Sequence, residues 1–210
     1  MPPYRYNAFT TSTPMTSIIP GFTDFYEKLS LVITSSIWKQ VVADFSASTR
    51  VLTVGNGGNL AVCDHGAIDI ARLTNKSASA PGSGILASSL INDASHELWV
   101  RNWLEISLRG LDTDAISRTM LIGVSSSGHS SNICNALDLA MEKGCKAVLL
   151  TARPPVLSGA YNTVVLDVDD YHTSEVMTLS LFYQLIHESG FVCPSIQESK
   201  RTGSTDYLRN

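Results

Sequence analysis

The chain has no run of lysine or arginine: 15 basic residues are scattered against 19 acidic ones, a formal charge of −4 over 210 residues. That balance leaves no electrostatic footprint for nucleic acid or for an anionic membrane, so an anionic ligand has to be held by local groups. No stretch approaches the roughly 20 apolar residues of a membrane span. Met1 to Pro20 lack a basic segment followed by an apolar core and do not read as a signal peptide. No C-x-x-C pair occurs. Cys63, Cys134, Cys145 and Cys193 are widely spaced and mostly in apolar or helical text, which suits buried, reduced thiols, and the expected location is the cytoplasm. What is present, 44% hydrophobic and 16% charged residues, is enough for one sizeable core and too little chain for two full domains.

The expected organisation is a loose N-terminal arm over 1–21, one domain over 22–191 and a polar tail over 192–210. From Phe22 to Phe45, apolar residues recur at the steps of one or two amphipathic helices. Five short runs then read as buried strands: Arg50 to Val54, Gly84 to Ser88, Met120 to Ser125, Lys146 to Thr151 and Thr163 to Val168. Helical text separates them at Leu60 to Leu73, Ser95 to Leu108, Asn132 to Lys143 and Ser174 to His187. Alternation of this kind implies right-handed βαβ units. The expected fold class is α/β, a three-layer α/β/α sandwich on a five-stranded parallel sheet of flavodoxin-like order with an added N-terminal helix. Ligands in such sheets bind beyond the carboxyl ends of the strands, which points to the loops after Val54 and Val124.

Both loops carry a signal. Gly55-Asn56-Gly57-Gly58-Asn59 leads straight into a helix, so its backbone can turn sharply and approach a ligand; it is not the dinucleotide G-x-G-x-x-G pattern, and no nucleotide cofactor is expected. Ser125-Ser126-Ser127-Gly128-His129-Ser130-Ser131-Asn132 places several hydroxyls at a helix start. One serine would serve as an N-cap. The full set, with free backbone N–H groups, suits a phosphate held without lysine or arginine.

Together, Val54-Gly55-Asn56-Gly57-Gly58 and Ile122-Gly123-Val124-Ser125-Ser126-Ser127-Gly128-His129-Ser130 resemble the SIS-domain phosphoheptose isomerases, whose loops read G-N-G-G-S and S-T-S-G-N-S. The similarity runs from the N-terminal helix to about Gly190. It implies a phosphorylated sugar as ligand, with Ser125, Ser127 and Ser130 on the phosphate and Asn56 with Asn92 and Asp93 on sugar hydroxyls. Gly57, Gly58, Asn59 and Ser126 complete the expected binding set, although Asn59 stands where the family usually has Ser. The resemblance also implies a homotetramer, or a homodimer, with active sites between subunits.

His65 and Asp69 are four residues apart and share a helix face. The resembling isomerases have H-x-x-x-E here, a zinc ligand and a carboxylate that is both ligand and general base. Ketose–aldose isomerisation needs a base beside a carbonyl and an acid or metal for the resulting oxyanion, so the resemblance makes Asp69 and His65 the catalytic pair. A solvated helix-face pair is the plainer alternative. The family's last helix supplies a Gln and, eight residues on, a His; the matching positions here are Ser174 and Phe182, which cannot ligate metal. Shifting the match by two residues offers His172 and Ser180 instead, and a zinc set of His65, Asp69 and His172. His187 reads as a surface or interface residue. His96 falls in the first turn of the Ser95 to Leu108 helix, where a pocket role and a surface role are equally open, as they are for His129. Trp38, Trp99 and Trp103 read as core or subunit packing.

Two functions of different class follow. The first is an enzyme converting sedoheptulose 7-phosphate to an aldose heptose 7-phosphate through an enediol. The second is a non-catalytic phosphosugar-binding or protein-interaction module, like the replication-initiator-associating SIS proteins. A regulator with a helix-turn-helix is disfavoured, because no basic recognition helix lies among the 45 or so residues before the first strand.

Overall fold

The computed structural model describes residues 18–156 and 159–196. Most of the proposed arm (1–21) and of the tail (192–210) lies outside these residues. After a short turn of 3-10 helix the elements are α1 (Phe25–Thr34), α2 (Ser36–Ala47), β1 (Arg50–Val54), α3 (Gly58–Leu73), β2 (Ser77–Ser79), α4 (Gly84–Asp93), α5 (Trp99–Leu108), α6 (Thr113–Ser117), β3 (Thr119–Val124), α7 (Ser131–Lys143), β4 (Lys146–Thr151), β5 (Asn162–Val165) and α8 (Tyr171–Glu188). The sheet is all parallel in the order β2-β1-β3-β4-β5, the flavodoxin-like order expected. Two N-terminal helices stand where one or two were expected.

Strand residues alternate between two cores because successive side chains leave opposite faces of a sheet. Val51, Met120, Ile122, Val148 and Leu150 join Trp38, Phe45, Cys63, Ile70, Leu181 and Phe182 under α2, α3 and α8. Leu52, Val54, Leu121, Ala147 and Leu149 join Trp99, Trp103, Leu104, Ile133 and Leu137 under α5 and α7. All three tryptophans are buried, as core packing requires. Cys63 and Cys145 are buried, and burial pushes both thiols up, Cys145 to about 11. Cys134 is half-buried and Cys193 exposed, so the expectation of buried thiols holds for two of the four. Among the described residues no helix is long and apolar enough to cross a membrane.

Three expectations need correction. Gly84 to Ser88 is the start of α4, not a strand; its Leu86, Ala87 and Leu90 pack on the second core at helical spacing, while Ile85 is 84% exposed. A short apolar run does not distinguish strand from buried helix by periodicity. The fifth strand is instead Ser77–Ser79, which lies on the sheet edge and carries no apolar run to announce it. Finally, α5 begins at Trp99, so His96 sits in an exposed turn before that helix.

Candidate functional site

In this strand order the chain leaves β1 and β3 on opposite sides of the sheet, which opens a crevice at their carboxyl ends. The glycine loop and the serine loop form its walls. Gly57 has φ +56° and ψ −125°, which only glycine adopts readily, and turns the chain from β1 into α3. Gly128 has φ +71°, and its N–H donates to the Ser125 carbonyl (2.9 Å) to close the serine turn.

Asn56 and Asn132 bind the loops together by exchanging amide hydrogen bonds, 3.0 Å from the Asn56 Nδ2 to the Asn132 Oδ1 and 2.8 Å in return. Deeper, the Asn59 Nδ2 donates to the Ser126 Oγ (3.1 Å), and Ser126 hydrogen bonds to the Ser174 Oγ (3.0 Å). These three side chains are 7%, 7% and 1% exposed, so Asn59 and Ser126 bind each other and α8. These side chains tie α3, the serine loop and α8 together.

The rest of the serine loop is arranged as a cradle. The Ser125 Oγ donates to the Ser130 Oγ (2.8 Å), and Ser127 is exposed, accepting from the His129 N–H (3.2 Å). Ser130 occupies the N-cap position of α7, yet its side chain does not cap the helix; Gly57 caps α3 no better. Of the four helices that follow a strand at this edge, α3, α4, α7 and α8, only α8 has a side-chain cap, from Asp170, whose Oδ1 accepts from the Thr173 N–H (2.8 Å). The Thr173 hydroxyl and amide hold the Asp170 carboxyl below its ordinary range. Two helix N-termini without side-chain caps therefore border hydroxyls in one crevice, the composition of an anion site.

His65 and Asp69 do come together, with the His65 Nε2 3.2 Å from the Asp69 Oδ2, and Arg72 follows at 3.6 Å from Asp69. The Tyr183 hydroxyl also reaches the His65 Nε2, at 3.0 Å. Burial and the Asp69 charge push the Tyr183 phenol up, so it stays protonated at neutral pH. Nothing in the spacing of the sequence singled out Tyr183; it reaches His65 because α3 and α8 cross closely at Gly66, where a Cβ would lie 2.7 Å from the Phe182 ring.

His172 does not join this pair. It is 11 residues before Tyr183 on α8, about 16 Å away along the axis, and pairs with Glu175 at 4.0 Å. Ser174 is hydrogen-bonded to Ser126, Phe182 is buried against Gly66, and the Ser180 hydroxyl turns back to the Val176 carbonyl (2.9 Å). Among the described residues no three His, Cys, Asp or Glu side chains converge. The zinc set of His65, Asp69 and His172 is thus not assembled within one chain, where the two remaining donors fall short of tetrahedral zinc. Asn92 and Asp93 are exposed at the end of α4, and Asn92 donates to Asp93 (3.3 Å). His129 and His187 are exposed as well.

No family model matches the chain. The phosphoheptose isomerase of Syntrophotalea carbinolica is 30% identical to it over 148 residues, which cover 68% of this chain and 74% of that protein. The chain belongs to the phosphoheptose isomerase family. The phosphoheptose isomerase of Sodalis glossinidius is 31% identical over 118 residues, covering 54% of this chain and 58% of that protein. Among solved structures, the phosphoheptose isomerase of Neisseria gonorrhoeae superposes with a TM-score of 0.62 at 18% identity, over 80% of this chain and 94% of that one, a likeness of fold. Family membership agrees with the resemblance that the two loops carried in the sequence.

Proposed function

We propose that this phosphoheptose isomerase family member binds a sugar phosphate in the serine cradle and interconverts its ketose and aldose forms, with sedoheptulose 7-phosphate as substrate. The observation that carries the reading is the serine turn: the Ser125 and Ser130 hydroxyls meet at 2.8 Å at the uncapped start of α7, Ser127 is exposed beside them in sequence, and Asn56 and Asn132 tie this turn to the glycine loop. The ligand-side set is then Asn56, Gly57, Gly58, Ser125, Ser127 and Ser130.

Asp69 takes the proton from the carbon beside the carbonyl, giving an enediol, and returns it to the neighbouring carbon. His65 lies beside that carboxylate and the protonated Tyr183 hydroxyl beside His65, and the two supply hydrogen bonds for the developing oxyanion.

The test follows aldose formation from sedoheptulose 7-phosphate and, in parallel, its binding. Ser127→Ala is expected to weaken binding of the 7-phosphate about tenfold, the loss of one hydrogen bond to a charged group, with a melting temperature unchanged because Ser127 is exposed. Turnover by the wild type supports the enzyme. Binding without turnover favours the second reading, a phosphosugar-binding module, which the hydrogen-bonded Ser174 and the buried Phe182 at the family's ligand positions support.

A further inference from the structure

We propose that Arg153 is the cationic ligand of the substrate phosphate and that Asp167 and Asp169 hold it in reserve until the phosphate arrives. This rests on the phosphosugar reading above. The residues following β3, β4 and β5 are laced side by side: the Ala152 N–H donates to the Ser126 carbonyl (3.1 Å) and the Val168 N–H to the Ala152 carbonyl (3.2 Å). Arg153 is the next residue after this lacing, so its backbone is fixed beside the serine loop. A cleft of about 180 Å³ opens there, shared by Ser126, Ser127, Arg153, Asp169 and Asp170, and Arg153 is the one Lys or Arg in its lining.

The guanidinium is occupied in the ligand-free chain. Its Nη1 donates to the Asp167 Oδ1 (2.7 Å) and its Nη2 pairs with Asp169. Asp167 adopts φ +54°, a left-handed conformation that Asp tolerates better than most side chains. Asp167 and Asp169 flank Val168, which is buried, and both carboxylates meet the same guanidinium.

The two pairings are cheap to give up. The carboxylates are 68% and 80% exposed, and exposed ion pairs add little to stability. A dianionic phosphate on Ser127 offers two oxygens to the planar guanidinium fork and more charge than either carboxylate, and the hydroxyl and N–H groups that otherwise hold it carry only partial charge. The exchange therefore leaves Asp167 and Asp169 in water and brings the only full positive charge of the cleft onto the ligand.

Calorimetric titration of the full chain with sedoheptulose 7-phosphate, and with inorganic phosphate as second probe, tests this. Arg153→Gln should weaken both by about tenfold or more, the loss of a charge-assisted contact, with Arg153→Lys in between. Asp169→Asn, at a position 80% exposed, should tighten both by roughly two- to fivefold at an unchanged melting temperature, since it removes a competitor. Added salt should narrow the gap between wild type and Arg153→Gln. Equal affinity of wild type and Arg153→Gln, or weaker binding by Asp169→Asn, overturns the role of Arg153. Absence of binding by the wild type to either probe overturns the phosphosugar reading itself.

Discussion

Asp69→Asn is expected to lower the rate of sedoheptulose 7-phosphate isomerisation by about 10²- to 10⁴-fold, the usual contribution of a positioned general base. Asn keeps the size of the side chain, and its one carbonyl oxygen keeps one of the two contacts, which Asp69 makes with different oxygens at 3.2 Å to His65 and 3.6 Å to Arg72, while the basic oxygen is gone. The affinity for the sugar phosphate should stay within about twofold, because Asp69 is on α3 and makes no contact with the serine loop that holds the phosphate. A fall in kcat at unchanged substrate affinity and unchanged melting temperature is the signature of the base. Full activity in Asp69→Asn would remove Asp69 from the chemistry.

Phe182→Ala should cost about 3–5 kcal/mol, the range for deleting a buried phenyl group, and lower the melting temperature on the order of 10 °C at the usual conversion for a domain of this length. Phe182 is 1% exposed, and its ring fills the space that Gly66 leaves between α3 and α8. Loss of the ring loosens the crossing that brings Tyr183 to His65, so residual activity should fall even at temperatures where the variant is folded. Phe182→Leu, which keeps most of the apolar volume, should lose much less. Thermal melting of the three proteins checks the order; an Ala variant as stable as wild type would mean that the crossing is held elsewhere.

The fold was readable where apolar runs met clear turns. Lys146–Thr151 matched to the residue, and α3 and α7 began within two residues of their expected starts, because glycine and serine clusters mark those helix entries. Ser77–Ser79 was not readable, since an edge strand of small polar residues carries neither alternation nor an apolar run. The serine turn was legible because it is local, a strand, a loop and a helix start in sequence. Placing His65 beside Asp69 needed only helical spacing. Tyr183 and Arg153 were not found, for different reasons: Tyr183 depends on the angle at which two helices cross, which no spacing encodes, whereas Arg153 follows β4 at the same carboxyl edge and the rule that points to that edge would have reached it. The buried triplet of Asn59, Ser126 and Ser174 was taken as ligand-facing or as a missing metal ligand, because a sequence does not tell which side of a loop faces inward.

The reciprocal amides of Asn56 and Asn132 have a consequence for how the crevice moves. Each side chain gives one donor and takes one acceptor from the other, across 76 residues of chain. Two separate turns are thereby joined into a single plate that can tilt but not splay. A ligand that immobilises the serine turn immobilises the glycine turn with it, and the ordering entropy of the second turn has already been spent in folding.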